Sequence, residues 1–332
     1  MKVTRPVGPE RLWSGRLRSV LVSGSRWVRN GAACVVVCVP LAGNAQLPTF
    51  AAHAERVLLT ATAVDGKGRP VRDLKPQEFR IFEEGRPQRL AHFAQGSDLK
   101  ARVLLLVDAS GSMDVKAKTT STQLVVGQVL VSFGAEDEVA LAGFDSRYFG
   151  LVPFTRDRDA ILEKMDGLRP WGTTALHDAL DQAARDIASH GEGRRAIVLL
   201  TDGVDNASVT TPDEVIARSQ ALDVPIYTVS VVSPLDDPES PSFVGTKEGS
   251  AEARAAKSLL ERYSALSGGR AFPVSNLRGI QEAARQISDE LKHQYRLGYD
   301  PPQGPARFRR VEIRTTRRGV AVRTRTGYVP RL

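Results

Sequence analysis

Cysteine is almost missing from this 332-residue chain: the only two, Cys34 and Cys38, both precede residue 46. From residue 46 onward no disulfide, thiolate metal site or cysteine nucleophile can be built. Histidine is scarce as well. His53, His92, His177, His190 and His293 are scattered, which speaks against a zinc site. The chain lacks a Gly-rich phosphate loop with its lysine, a His-Glu-x-x-His helix and a dinucleotide fingerprint after its first long apolar strand. No serine of interest sits in a Gly-x-Ser-x-Gly elbow. Long hydrophobic runs are lacking too: GAACVVVCVPLA at 31–42 is well short of the roughly 20 residues that a membrane span needs.

A net charge of +8 looks basic, but its distribution matters more than its total. Residues 1–45 hold seven Lys/Arg and one acid, so the remainder is close to neutral with 39 basic and 37 acidic residues. A nucleic-acid binder is therefore not indicated. Arginines, a short apolar run and the small residues Gly43 and Ala45 read as a cleavable signal peptide over residues 1–45. No Arg-Arg pair precedes the run, and Cys38 follows Val37 rather than a small residue, so neither twin-arginine export nor a lipidated cysteine is suggested. A secreted, periplasmic or cell-envelope protein is expected.

Three patterns follow the leader. Residues 46–98 carry short alternating runs (RVLLTATAV, EFRIFEE, QRLAHF) parted by Gly/Pro-rich turns, a β segment too small to bury a generous core by itself. Across residues 99–292 apolar strands alternate with amphipathic helices. VLLLV and AIVLL are apolar throughout, so both faces are expected to be buried in a doubly wound, mainly parallel sheet. EVALAGFD and YFGLVPF are joined so tightly that they predict a hairpin and one antiparallel edge strand. Residues 293–332 alternate again and are expected to pair with 46–98 as a small β-sandwich-like unit.

Polar residues collect where the apolar strands end. VLLLV runs into Asp108-Ala-Ser110-Gly-Ser112, and AIVLLT runs into Asp202. Thr174 opens a helix after the turn Pro170-Trp171-Gly172; Thr173 is the alternative, although counting back from ALHDAL favours Thr174. In an open parallel sheet ligands bind beyond the carboxyl ends of the strands, near the topological switch point. Two carboxylates and three hydroxyls form an all-oxygen donor set, which suits a hard cation such as Mg²⁺.

Asp-x-Ser-x-Ser at 108–112, Thr174 in GTTALHDAL and Asp202 in LLTDG together resemble the metal-ion-dependent adhesion site of von Willebrand factor A domains. GRPVRDLKPQEFRIFEEGRPQRLAHF and YRLGYDPP extend the resemblance to secreted bacterial A-domain proteins of the kind abundant in acidobacteria, over nearly all of residues 55–330. The resemblance implies that the two serines and the threonine ligate Mg²⁺ (or Mn²⁺ or Ca²⁺), and that Asp108 and Asp202 hold it directly or through water. It further implies a partner protein whose Asp or Glu carboxylate completes the shell, and no enzymatic activity.

Other readings carry less. A structural envelope scaffold whose metal only stabilises loops is the runner-up, and a metal-dependent hydrolase stands third. His177 reads as a helix-surface residue. Trp171 either packs beneath its loop or forms a contact on the rim, where aromatics often anchor partners. The polar stretch 233–250 is long for a strand-to-helix link and could shape partner choice. Residues 292–332 hold eleven Lys/Arg against two acids. Arg309, Arg310, Arg314, Arg317, Arg318, Arg323 and Arg325 could dock on an anionic envelope surface. The favoured reading is that they form a solvated face or pair with the acidic remainder of the chain.

Overall fold

Leu104 and its neighbours explain the architecture. Strand β5 (Ala101–Asp108) sends Val103, Leu105 and Val107 into one core, and Leu104 and Leu106 into another on the opposite face. A strand buried on both faces must lie inside a sheet covered by helices, and each such side chain contributes about 1.5–3 kcal/mol. The computed structural model describes residues 56–95, 100–114, 116–191, 193–231 and 247–330, all within one compact unit. The leader at 1–45, with both cysteines, and most of the 233–250 stretch lie outside the described residues.

The central sheet comprises β5, β6 (Glu138–Phe144), β7 (Tyr148–Thr155), β8 (Arg194–Thr201), β9 (Ile226–Val231) and β10 (Ala271–Val274). Its order is β10-β9-β8-β5-β6-β7. All neighbours are parallel except β6 and β7, the predicted hairpin, so β7 is an antiparallel edge. Helices α1 (Lys116–Ser132), α2 (Arg158–Gly167) and α6 (Leu277–Lys292) cover one face, and α3 (Leu176–Ser189), α4 (Pro212–Leu222) and α5 (Lys247–Ser267) cover the other. From β5 the chain first builds outward through β6 and β7, then crosses to β8 on the other side of β5. The switch point therefore lies at the carboxyl ends of β5 and β8.

The flanking unit is a sandwich of two four-stranded sheets. One has the order β13-β1-β11-β4 and the other β14-β12-β2-β3. β1 (Val57–Asp65), β2 (Phe79–Glu83), β3 (Arg86–Gln88) and β4 (His92–Gln95) precede the central sheet. β11 (Tyr295–Tyr299), β12 (Arg309–Thr315), β13 (Val320–Arg323) and β14 (Gly327–Tyr328) follow it. β1 pairs antiparallel with β11 and β13, and β2 with β12, so each sheet is woven from both ends of the chain. Leu59, Phe79, Ile81, Tyr295, Leu297 and Ile313 fill the space between the sheets.

The basic C-terminal strands direct much of their charge inward. Arg309 pairs with Glu83, Arg317 with Asp73 and Glu78, Arg323 with Glu290, and Arg325 lies buried 3.5 Å from Asp223. Arg314 pairs with Glu312 and stacks over the Phe82 ring at 4.7 Å. Arg310 and Arg318 are exposed.

Candidate metal centre

Asp108 is the last residue of β5 and is only 2% exposed. Because β5 and β8 run in parallel register with Val107 beside Leu200, the next residue of β8, Thr201, comes level with it. The Thr201 hydroxyl donates to Asp108 Oδ2 at 2.5 Å, and the Ser110 N–H donates to Oδ1 at 2.9 Å. Burial raises the Asp108 pKa to about 6, the hydroxyls of Ser110 and Thr201 pull it back, and nearby Asp202 raises it further. This carboxylate is short of positive charge.

The two serines meet beside it. Ser110, fully buried, opens a 3₁₀ turn at Gly111–Met113, and its hydroxyl lies 3.1 Å from that of exposed Ser112. The turn is pinned from the far side of the sheet's end. Gly111 N–H donates to Gly172 O at 3.0 Å, and Trp171 N–H to Ala109 O at 2.7 Å. Gly172 has φ +87°, a conformation that a side chain resists, and a Cβ on Gly111 would press on the Gly172 carbonyl at 3.2 Å. These contacts draw the Trp171 loop against the Asp-x-Ser-x-Ser segment.

Thr174 is buried, whereas Thr173 is exposed. Its N–H donates to Asn206 Oδ1 at 2.8 Å, and its carbonyl accepts from the N–H groups of Asn206 and Ala207. The loop after β8 thus wraps Thr174, and its first residue, Asp202, lies close enough to Asp108 for the two charges to be felt. Asp202 is largely buried, accepts from Val204 N–H at 3.3 Å and receives Lys118 Nζ on Oδ2 at 2.9 Å. Gly203, at φ +88°, lets α5 lie close: a Cβ there would come within 2.9 Å of Leu260 Cδ1.

His177 is not on a helix surface. It is 8% exposed, because the loop after β8 and helix α5 both cover the start of α3. Its Nδ1 lies 2.9 Å from the Tyr263 hydroxyl and its Nε2 3.8 Å from Asp205 Oδ1. Burial lowers its pKa, and Asp205 and Asp178 only partly oppose that. Sequence reasoning passed over Thr201, Asn206, Asp205 and Lys118. Only Lys118 carried a local signal, since a cation in the first turn of a helix opposes the helix dipole. Trp171 is 83% exposed, and the exposed valines Val204 and Val209 belong to the loop after β8.

Among the described residues no group of three or more His, Cys, Asp or Glu is placed to hold a metal ion. The donors at the switch point are of another kind: two carboxylates with hydroxyls. They fit a hard cation on two counts. Asp108 lacks counter-charge on its buried side, and Asp202 already attracts a cationic ammonium.

A mainly parallel, doubly wound sheet with an Asp-x-Ser-x-Ser turn at its switch point defines an A-type domain. Residues 103–204 match the family model of the von Willebrand factor type A domain. On that match, residues 103–204 are a von Willebrand factor type A domain. An uncharacterised protein of Borreliella burgdorferi is 28% identical over 153 residues, 44% of this chain and 44% of that protein, so the match spans less than half of that relative. Among solved structures, a von Willebrand factor type A protein from Catenulispora acidiphila is 13% identical with a TM-score of 0.48, covering 84% of this chain and 75% of that one. An aerotolerance-related membrane protein from Bacteroides fragilis is 19% identical with a TM-score of 0.45, covering 57% of this chain and 98% of that one. Proximal thread matrix protein 1 from the mussel byssus, with a zinc-occupied MIDAS motif, is 16% identical with a TM-score of 0.47, covering 64% of this chain and 50% of that one.

Proposed function

We propose that the protein is an exported, non-catalytic binding module that grips a partner's Asp or Glu carboxylate through a divalent cation. Asp108, Ser110, Ser112, Thr174 and Asp202 are the ligand set, and Mg²⁺ is the preferred ion, ahead of Mn²⁺ and Ca²⁺. One observation carries the reading: a buried, charge-starved carboxylate, two touching hydroxyls and a second carboxylate meet at the switch point of the sheet. When bound, the ion supplies a Lewis-acid position for the partner's oxygen. The neutral hydroxyls donate lone pairs without cancelling its charge, so an anionic ligand is still attracted. The protein's own part is to hold the oxygens in place, through the Thr201 and Ser110 hydrogen bonds to Asp108 and the Asn206 clamp on Thr174.

Catalysis has less support. His177, the histidine nearest in sequence to Thr174, is engaged with Tyr263 and Asp205. Export rests on the leader sequence. Among the described residues no helix is long and apolar enough to cross a membrane.

Calorimetric titration of Mg²⁺ into the metal-stripped protein tests the reading. Saturable binding is expected, and Ser112→Ala should weaken it at least about 10-fold, the low end of what losing even an outer-shell partner costs. Partner capture should need Mg²⁺ and fail in EDTA. Unchanged capture by Ser112→Ala would favour the scaffold reading, and turnover of ester or phosphate substrates would revive the hydrolase.

Trp171 provides a second test. Its exposed ring can go without disturbing the core, so Trp171→Ala should alter stability by no more than about 0.5 kcal/mol. As an anchor on the rim it should cost partner affinity roughly 30-fold while leaving Mg²⁺ binding intact. Unchanged partner affinity in that variant would remove Trp171 from the contact surface.

A further inference from the structure

Lys118 stands in an unusual place. It is the third residue of α1, where unpaired backbone N–H groups favour anions, yet the chain puts an ammonium there. It is also 9% exposed, although lysine is rarely buried without a reason. Its Nζ lies 2.9 Å from Asp202 Oδ2, with the two side chains only 10% and 9% exposed. A buried carboxylate without a counter-charge is costly, so the ammonium stabilises Asp202 where it stands. Its position also sets up a conflict: Asp202 is one of the carboxylates assigned to the divalent ion, and two cations drawn to one carboxylate repel strongly at short range.

We propose that Lys118 is a built-in counter-cation of the metal centre, which neutralises Asp202 in the metal-free protein and competes with the divalent ion for it. The inference rests on the reading of Asp202 as a metal ligand. Its consequence is a centre that binds its ion weakly by itself. A partner's carboxylate, arriving on the ion, adds the negative charge that tips the competition, so ion and partner bind with positive linkage. Lys118 is thus a residue that sets affinity rather than a ligand. The arrangement also explains how a helix can begin with a lysine beside a cation site: Asp202 compensates it when the ion is absent.

The test compares Mg²⁺ titrations of the full protein, Lys118→Met, Lys118→Gln and the exposed control Lys67→Met. Lys67→Met changes the net charge equally but lies in the turn after β1. Lys118→Gln keeps a hydrogen-bond donor for Asp202, which preserves the fold should Lys118→Met lose it. The expected result is Mg²⁺ binding at least about 10-fold tighter in both Lys118 variants and unchanged in Lys67→Met. In EDTA, Lys118→Met should melt below the parent, with Mg²⁺ recovering the loss. Equal or weaker Mg²⁺ binding in the Lys118 variants overturns the proposal, because Lys118 would then be positioning Asp202 for the ion. Absence of Mg²⁺ binding in the parent and both variants, with the EDTA melting difference intact, overturns the metal reading itself and this inference with it.

Discussion

Asp108→Asn is expected to stabilise the metal-free protein while abolishing its response to Mg²⁺. The folded-state pKa of Asp108 is raised to about 6, well above the usual carboxylate value, because burial outweighs its hydrogen bonds. The sign follows from linkage. In the unfolded chain the group ionises near its ordinary pKa, while the fold keeps it protonated up to about 6. Its penalty is therefore absent at acid pH, grows between those values and is complete above the higher one. An upset of about two pKa units corresponds to roughly 3 kcal/mol at most. Asparagine removes the charge and keeps the shape. Its carbonyl can accept from Ser110 N–H, and the Thr201 hydroxyl can rotate to accept from its amide. In EDTA near pH 8 the variant should thus gain about 1–3 kcal/mol, and the gain should vanish toward about pH 4. Saturating Mg²⁺ reverses the order, since an ion at about 1,000 times its Kd adds about 4.1 kcal/mol to the parent and nothing to the variant. Thermal unfolding of both proteins in EDTA and in Mg²⁺ reads all of this. A variant less stable than its parent in EDTA would show that Asp108 is held by the fold rather than strained by it.

The fold was legible in the sequence because its strands declare their burial. VLLLV has no polar side, so β5 had to be central, and the tight link between EVALAGFD and YFGLVPF left β7 nowhere but an antiparallel edge. Asp108 and Asp202 stood out for the same reason, as acids that abruptly end apolar runs. What stayed hidden depends on contacts between distant segments. Nothing near His177 announces that Tyr263, 86 residues later, will cover it. Lys118 offers only the hint of a cation in the first turn of a helix, and its partner shows only when the loop after β8 is brought to its ammonium. For the C-terminal arginines, pairing with the acidic remainder of the chain was legible as one option from the charge balance, but composition does not show that Glu83, Glu78 and Glu290 are the acids that lie opposite.

Glu83→Ala is expected to cost the largest share of stability of any single change in the flanking sandwich, about 3–5 kcal/mol. Glu83 is 3% exposed on β2, and three groups from the other end of the chain converge on it. Arg309 Nη1 donates to Oε1 at 2.9 Å, the Tyr328 hydroxyl donates to Oε2 at 2.8 Å, and the Tyr299 hydroxyl donates to the same oxygen. Alanine leaves a buried guanidinium and two phenols without their acceptor, and the unpaired charge dominates the loss. Glu83→Gln should cost less, since its carbonyl still accepts. Replacing Glu83 and Arg309 together by methionine should recover most of the loss, because a buried ion pair adds little over apolar packing once neither charge is left alone. The loss should appear as one shifted transition. Thr60 donates to Asp223 at 2.8 Å, and Arg325 reaches both Leu58 O, at 2.7 Å, and Gln220 O, so β1 and the end of α4 are held together. Urea unfolding followed by far-ultraviolet circular dichroism, to which the helices around the central sheet contribute most, and by near-ultraviolet dichroism of the buried tyrosines, which include Tyr295, Tyr299 and Tyr328 of the sandwich, decides the matter. Coincident curves with a lowered midpoint are expected. Separate curves would mean that the sandwich melts alone, and that its bond to the A domain is weaker than these contacts imply.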